Sequence, residues 1–400
     1  MSDAGAAIRL LDGHFYTHDP HRHFRWMREH APVYWEATGA VWGIALHEDI
    51  MAISKDSERF CSRFSSRPDA APYPSMINLD DPDHKRRRNL VNKGFTPRRV
   101  QDQEPKIRRI CYALVDAVVE RGACDFVRDI AAPLPMMVIG DMLGVEPADH
   151  DMLLRWSDDF IQATSATAPP EVMMRAMQAF EEYGDYNRRV VADRHRNPRD
   201  DLMSILTHAE IDGERLSDDE ILQEGLLILV GGDETTRHVI SGGMEQLIRN
   251  PAARRALIED QSKVPTAVEE MLRWVTPIQN MNRTATCTVE LRGQTIREGD
   301  KVLLLYPSAN RDEHVFERPF DFNVAREPNN HVAFGGYGAH FCLGASLARL
   351  ELRVMFETLL QRLPDLELAG DAPLPLRPSN FIVGIESMPV VFAPRDASQC

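Results

Sequence analysis

Cys342 is the residue in this sequence best placed to do chemistry. It stands in Phe334-Gly335-Gly336-Tyr337-Gly338-Ala339-His340-Phe341-Cys342-Leu343-Gly344, and a helical run, Ala345 to Arg362, follows it. Glycines at this density let the backbone approach a flat ligand closely. A cysteine at the head of a helix faces the positive end of the helix dipole, and free amides there can donate to its sulfur. Both effects favour the thiolate, the form that ligates metals.

A second group is Gly231-Gly232-Asp233-Glu234-Thr235-Thr236. A hydroxyl inside an apolar helix can hold a hydrogen bond or a water, and a carboxylate behind it can relay protons. The apolar flanks, Leu226 to Val230 and Val239-Ile240, argue against a merely solvated polar face. A third group is Glu269-Glu270-Met271-Leu272-Arg273, in which Glu270 and Arg273 are spaced to pair on one helix. On a surface such a pair contributes only about 0–1 kcal/mol, so by itself it says little.

Taken together and in this order, the three groups resemble the cytochrome P450 family. The cysteine loop is similar to that family's haem-ligand loop, Phe-Gly-x-Gly-x-His/Arg-x-Cys-x-Gly. Gly338, His340, Cys342 and Gly344 match in place, whereas Phe334 lies one residue too far upstream, so one residue is inserted among the glycines. The resemblance implies haem b (iron protoporphyrin IX) held through Cys342, whose thiolate promotes O–O cleavage. It implies Glu234 and Thr235 as the acid–alcohol pair of proton delivery. It makes Glu270 and Arg273 a buried structural pair, with Arg326 as a third member. His84, Arg88, Arg283 and His340 are the candidates it offers for the haem propionates.

The likeness runs from about Phe15 to Pro394. Within the family it points to the actinobacterial sterol side-chain hydroxylases, the cholest-4-en-3-one 26-monooxygenases. Glu120 to Asp129, Leu154 to Asp159, Gly231 to His238, Arg377 to Phe381 and Glu386 to Val391 carry it. The implied activity is hydroxylation of the terminal side-chain methyl of a cholesterol-type sterol, possible further oxidation to the acid included, within steroid and lipid metabolism. Met76, Val230, Ile278 and Phe381 are candidate pocket walls, although each reads equally as core packing. The alternatives are another long apolar substrate, such as a branched fatty acid or terpenoid, and, in a different class, a haem sensor without turnover. Glu234 and Thr235 argue against a sensor, which needs no proton delivery. Electrons must arrive from outside, since no flavin or ferredoxin module is present. The expected donors are a ferredoxin and its NAD(P)H-fed reductase, docking on a basic face made of Lys85 to Arg88, Arg98-Arg99, Arg349 and Arg353.

These side chains need a scaffold, and its pattern is mainly α with a smaller β-rich part, as expected of a P450 fold. Residues 82 to 93 read as a basic helix, and residues 99 to 121 carry helical apolar spacing. Ser217 to Asn250 reads as a helix opened by the capping box Ser217-Asp218-Asp219-Glu220. Thr288 to Ile296 reads as a hairpin, with Lys301 to Tyr306 and Pro389 to Phe392 as further strands. No repeat or linker interrupts the 400 residues, so one continuous domain, 1–400, is expected. A formal net charge of −15 argues against nucleic acid as a partner. No apolar run approaches the ~20 residues of a membrane span, and Met1 to Asp12 has no signal-peptide pattern. The six cysteines are scattered, which fits reduced thiols and a cytoplasmic location.

Overall fold

The computed structural model describes residues 8–163 and 169–396, so Cys400 lies outside the described residues. The chain begins with helices α1 (Gly13–Thr17) and α2 (His21–His30), strands β1 (Val33–Glu36) and β2 (Val41–Ile44), α3 (His47–Lys55) and β3 (Phe60–Cys61). Next come α4 (Asp83–Asn92), α5 (Pro97–Asp102), α6 (Glu104–Val119), β4 (Ala123–Asp125), α7 (Pro133–Met142), α8 (His150–Gln162) and α9 (Pro170–Arg196). The second half holds α10 (Leu202–His208), α11 (Asp218–Arg249), α12 (Pro251–Glu259) and α13 (Val264–Val275), followed by β5 (Asn280–Ala285), β6 (Val289–Leu291), β7 (Gln294–Ile296) and β8 (Lys301–Leu305). Last are α14 (Tyr306–Ala309), α15 (Ala345–Arg362), β9 (Glu367–Leu368) and β10 (Pro389–Val391).

α11 is the axis of the molecule. Ser217 accepts from the Glu220 amide while the Glu220 side chain takes up the Ser217 amide, so both halves of the capping box form. Three acids fill the first turn and Arg249 the last, matching the helix dipole. Its 32 residues reach roughly 48 Å. One expected element divides: the helical pattern over 99 to 121 belongs to α5 and α6. Pro105 lacks the amide hydrogen that a continuous helix would need, so a new helix starts there. Thr96 caps α5, with Pro97 in its first turn.

The main sheet has the order β1-β2-β8-β5-β3. β2 runs parallel to β8, with Val41 opposite Lys301, and β5 pairs antiparallel with β8, with Arg283 opposite Val302. The hairpin β6–β7 turns through Arg292 and Gly293, both left-handed, and β4, β10 and β9 form a small second sheet. Three apolar regions among the described residues follow from this, the smallest holding Leu10, Phe24, Met27 and Leu303. One lies among α6, α7, α11, α13 and α15, and includes Ile139, Leu229, Met271 and Phe356. Another backs the main sheet with Val33, Ile44, Val302 and Leu304. Among the described residues no helix is long and apolar enough to cross a membrane. Cys61, Cys111, Cys124, Cys287 and Cys342 are free thiols.

Candidate active site

The cysteine loop is shaped by its glycines. Gly335 has φ +94, and a Cβ on Gly338 would stand 1.6 Å from the Ser54 carbonyl oxygen, so the loop is pressed directly onto the end of α3. Phe334 differs from the sequence expectation in an informative way. The inserted residue is taken up at exposed Tyr337, in the left-handed region at φ +57, whose ring stacks on Phe341 at 4.9 Å. The bulge lets the Phe334 carbonyl still accept from the Cys342 amide at 3.0 Å. The Phe334 ring lies under the Arg349 guanidinium, 4.6 Å from it.

The amides of Gly344 and Ala345, at the start of α15, donate to Cys342 sulfur. Burial, the largest influence, raises the thiol above its ordinary value, and these amides with Arg88 and Arg349 only partly offset it, so in the haem-free protein the thiolate is less favoured than the sequence suggested. Yet Cys342 presents accessible surface. Both hold for a sulfur that lines an interior hollow, and a Cβ on nearby Gly344 would meet nothing within 4 Å.

On α11, a Cβ on Gly231 would likewise meet nothing within 4 Å. Thr235 hydroxyl donates to the Gly231 carbonyl at 3.0 Å. Glu234 is fully buried. Arg377 Nη1 donates to its Oε2 at 2.9 Å, and Arg237 Nη2 lies 2.7 Å from Oε1, as an ionic contact without hydrogen-bond alignment. His238 Nε2 is 3.5 Å from Oε2, too long for a firm bond. Burial pushes the Glu234 carboxyl up, but His238, Arg237 and Arg377 together hold it well below the usual range. At these distances the two guanidiniums do most of this. Asp158 of α8 ties them in, 3.1 Å from Arg237 and 4.0 Å from Arg377. Sequence reasoning missed Arg237 and Arg377 as partners of Glu234, and Asp158 as the partner of both arginines.

The four proposed propionate ligands converge. The rings of His84 and His340 lie 4.2 Å apart, and Arg88 donates to the Phe341 carbonyl beside them. Burial first, then Arg283, His84 and Arg88, push His340 down to about 2. Burial also lowers Arg283 and His84, the latter against its bond to Asp81. His84 Nε2 is buried without a partner. The cluster therefore has a surplus of cationic and donor groups, and an anion would stabilise it. The rest of the basic helix behaves otherwise: Arg86 and Arg87, expected on the docking face, both reach back to Glu220 of α11.

Glu270 and Arg273 form a fully buried bidentate pair with both contacts at 2.7 Å, and Arg326 joins at 3.0 Å. Neighbouring Glu269 was not singled out from sequence, yet it holds Arg349 at 2.7 and 2.8 Å and His331 at 3.1 Å. α13 thus grips the segment that leads into the cysteine loop, at Arg326 and His331, and α15 at Arg349. Arg349 and Arg353 are accordingly not the free cations expected for docking. Arg353 pairs with Glu357 at 3.0 Å and Glu104 at 2.6 Å.

The four candidate pocket walls fall on two sides. Met76 and Val230 pack with the helical core. Ile278 packs with the sheet and bridges to Ile382, beside Phe381. Buried Arg67 lies over the Phe381 ring at 4.2 Å and donates to Asn380 at 2.8 Å, fixing that segment.

The cysteine backed by helix amides, the cationic cluster beside its loop and the carboxylate held by two guanidiniums on the central helix together make a candidate cofactor site. The cytochrome P450 family model matches residues 160–387. The chain is 50% identical to a steroid C26-monooxygenase of Mycolicibacterium smegmatis, covering 97% of this chain and 96% of that one. It is 40% identical to a methyl-branched lipid omega-hydroxylase of Mycobacterium tuberculosis, covering 92% and 90%. Among solved structures it superposes on Mycobacterium marinum CYP268A2 in complex with pseudoionone, with TM-score 0.89 and 34% identity over 96% of this chain and 98% of that one. The chain belongs to the cytochrome P450 family. It is a P450 monooxygenase carrying haem b, and it needs dioxygen, substrate and an electron-donating redox partner.

The residues fit that cofactor. A sulfur with two helix amides behind it suits an axial thiolate. The open sides of Gly231 and Gly344 leave room for a flat ring, and the partnerless His84 nitrogen within the cationic cluster suits two carboxylates.

Proposed function

We propose that this protein hydroxylates the terminal side-chain methyl of a cholesterol-type sterol such as cholest-4-en-3-one, giving the 26-alcohol and then the acid. The observation that carries this is the 50% identity to the steroid C26-monooxygenase over 97% of the chain. Hydroxylation consumes one dioxygen, two electrons and two protons, places one oxygen atom in the C–H bond and releases the other as water; oxidation of the alcohol to the acid takes two further turnovers with the same inputs. Haem supplies the oxygen-activating chemistry; Cys342 would hold its iron, and His84, Arg88, Arg283 and His340 its propionates.

The protein's own side chains do the rest. Thr235 Oγ1 holds a proton or a water beside the reacting centre. Glu234, kept ionised by Arg377 and Arg237, takes protons from the outer network and passes them to Thr235. Glu270, Arg273 and Arg326 keep the cysteine loop in place. Met76, Val230, Ile278 and Phe381 wall the pocket. A primary methyl C–H is stronger than the tertiary C–H beside it, so attack at the chain end needs positioning, which can supply several kcal/mol.

A ferredoxin is the proposed donor. The cation–carboxylate pairing of Arg349 and Arg353 shifts the docking surface toward Lys85 and Arg98, the latter 92% exposed. A groove of about 330 Å³ lined by Pro97, Val100, Pro265 and Leu350 adjoins Arg98. We read residues 1–400 as one catalytic domain acting in the cytoplasm. The methyl-branched lipid hydroxylase likeness favours a second reading, the same terminal oxidation of a branched lipid. Product analysis with cholest-4-en-3-one decides: a 26-alcohol is expected, and a dominant ring-hydroxylated or tertiary alcohol overturns the sterol proposal.

A further inference from the structure

α11 carries an acid that the oxidation does not use. Glu224, Leu227, Gly231 and Thr235 are spaced three, four and four residues apart, which puts them on one face of the helix. Glu224 lies eleven residues before Thr235, about 16 Å along the axis. That separation is comparable to the reach of a sterol from its ring oxygen to the end of its side chain.

Glu224 is fully buried and only half satisfied. Its Oε1 accepts from the Met76 amide at 2.8 Å and from Arg87 Nη1 at 3.1 Å, while Oε2 has no partner. Three more buried polar atoms without a partner belong to the same corner: Tyr73 hydroxyl, Ser75 hydroxyl and Asn187 Oδ1. Tyr73 and Ser75 belong to the loop whose next residue, Met76, bonds Glu224. Asn187 of α9 donates to Tyr183 hydroxyl at 3.2 Å, and a Cβ on Gly225, next to Glu224, would lie 2.7 Å from that same hydroxyl. Buried polar atoms are normally paired, and each one left unpaired is destabilising. Four from three separate segments gather in this one enclosed corner.

We propose that Glu224, Tyr73, Ser75 and Asn187 form a polar subsite at the far end of the substrate pocket, which binds the oxygen on C3 of the steroid nucleus. This rests on the sterol reading and adds to it the feature that selects a 3-oxygenated ring over a plain hydrocarbon chain. Burial pushes Glu224 up to about 7, against Arg87 and the Met76 amide, so it can accept from a 3-hydroxyl or, protonated, donate to a 3-ketone. Burial and the nearby Glu224 charge raise Tyr73 as well, which keeps its phenol a donor.

The test titrates the full-length haem-loaded enzyme with cholest-4-en-3-one and with its 3-deoxy analogue cholest-4-ene, reading the haem spin-state change and, independently, ligand retention in equilibrium dialysis. The wild type should bind the ketone at least about fivefold more tightly, as one net hydrogen bond implies. Tyr73→Phe and Glu224→Gln should each cut that preference severalfold and leave cholest-4-ene unchanged. Equal binding of the two sterols by the wild type, or a preference unmoved in both variants, overturns the subsite and leaves these atoms to structural water. Failure of both sterols to bind the wild type overturns the sterol reading itself, and this proposal with it.

Discussion

Replacing Glu270 by Gln should destabilise the protein far more than the loss of one surface charge would. The Glu270 carboxylate accepts from Arg273 Nε and Nη2, Arg326 Nε, the Asn323 amide at 2.8 Å and Asn329 Nδ2 at 3.2 Å. Arg273 is fully buried and also donates to the carbonyls of Asn310, Pro319 and Asp321, so it cannot swing out to water when its partner goes. Glutamine keeps the shape but leaves two guanidiniums without a counter-charge, and breaking a buried pair from one side costs about 3–5 kcal/mol. With an unfolding entropy of about 2 cal/mol/K per residue, that lowers the midpoint by roughly 4–6 °C. The assay is thermal unfolding of the haem-loaded protein by circular dichroism, with haem content measured alongside. Arg273→Met in the Glu270→Gln background should restore part of the loss, because it removes the stranded charge. A midpoint within about 1 °C of wild type would refute the claim that this cluster holds the cysteine loop in place.

Thr235→Ala should bind substrate and accept electrons but lose about 10²–10⁴-fold in product formation, as expected for an acid–base group, with oxygen diverted to peroxide. Unchanged coupling of electrons to product removes Thr235 from proton delivery. Glu234 is held below its ordinary range by cations, so it stays ionised and able to take a proton down to low pH. Arg377→Gln should let its carboxyl rise and move the acid limb of the rate profile to higher pH; an unmoved limb contradicts the pairing. Gly338→Ala places a methyl 1.6 Å from the Ser54 carbonyl oxygen, so it should reduce haem content sharply, and normal haem loading would show that the loop does not need this approach. Electron transfer from a ferredoxin should weaken with rising salt and with Arg98→Glu. Salt-independent transfer counts against the proposed donor surface.

What the sequence disclosed depended on how local the interaction is. α11 was legible because its capping box lies within four residues, and the Glu270–Arg273 pair because it spans one helical turn. The cysteine loop was legible because a backbone crowding against Ser54 tolerates only glycine at Gly338. The partners of Glu234 were not legible: Arg377 lies 143 residues away. The Glu269–Arg349 pair, 80 residues apart, turned an expected docking cation into an internal tie. β2 escaped notice for the same reason, since its register is set by β8, far along the chain. The break between α5 and α6 was readable at Pro105, but the apolar spacing on both sides masked it. Glu224 had a usable signal, an acid on the face shared by Gly231 and Thr235, at the edge of an apolar run.

The central claim is that Cys342 ligates the haem iron through its thiolate, and the spectrum of the reduced protein under carbon monoxide tests it most directly. The wild type should show the long-wavelength band characteristic of thiolate-ligated haem, and Cys342→Ala should lose it while the other five cysteines remain. A Cys342→Ala protein that keeps the band would contradict the assignment and, with it, the arrangement of the whole site.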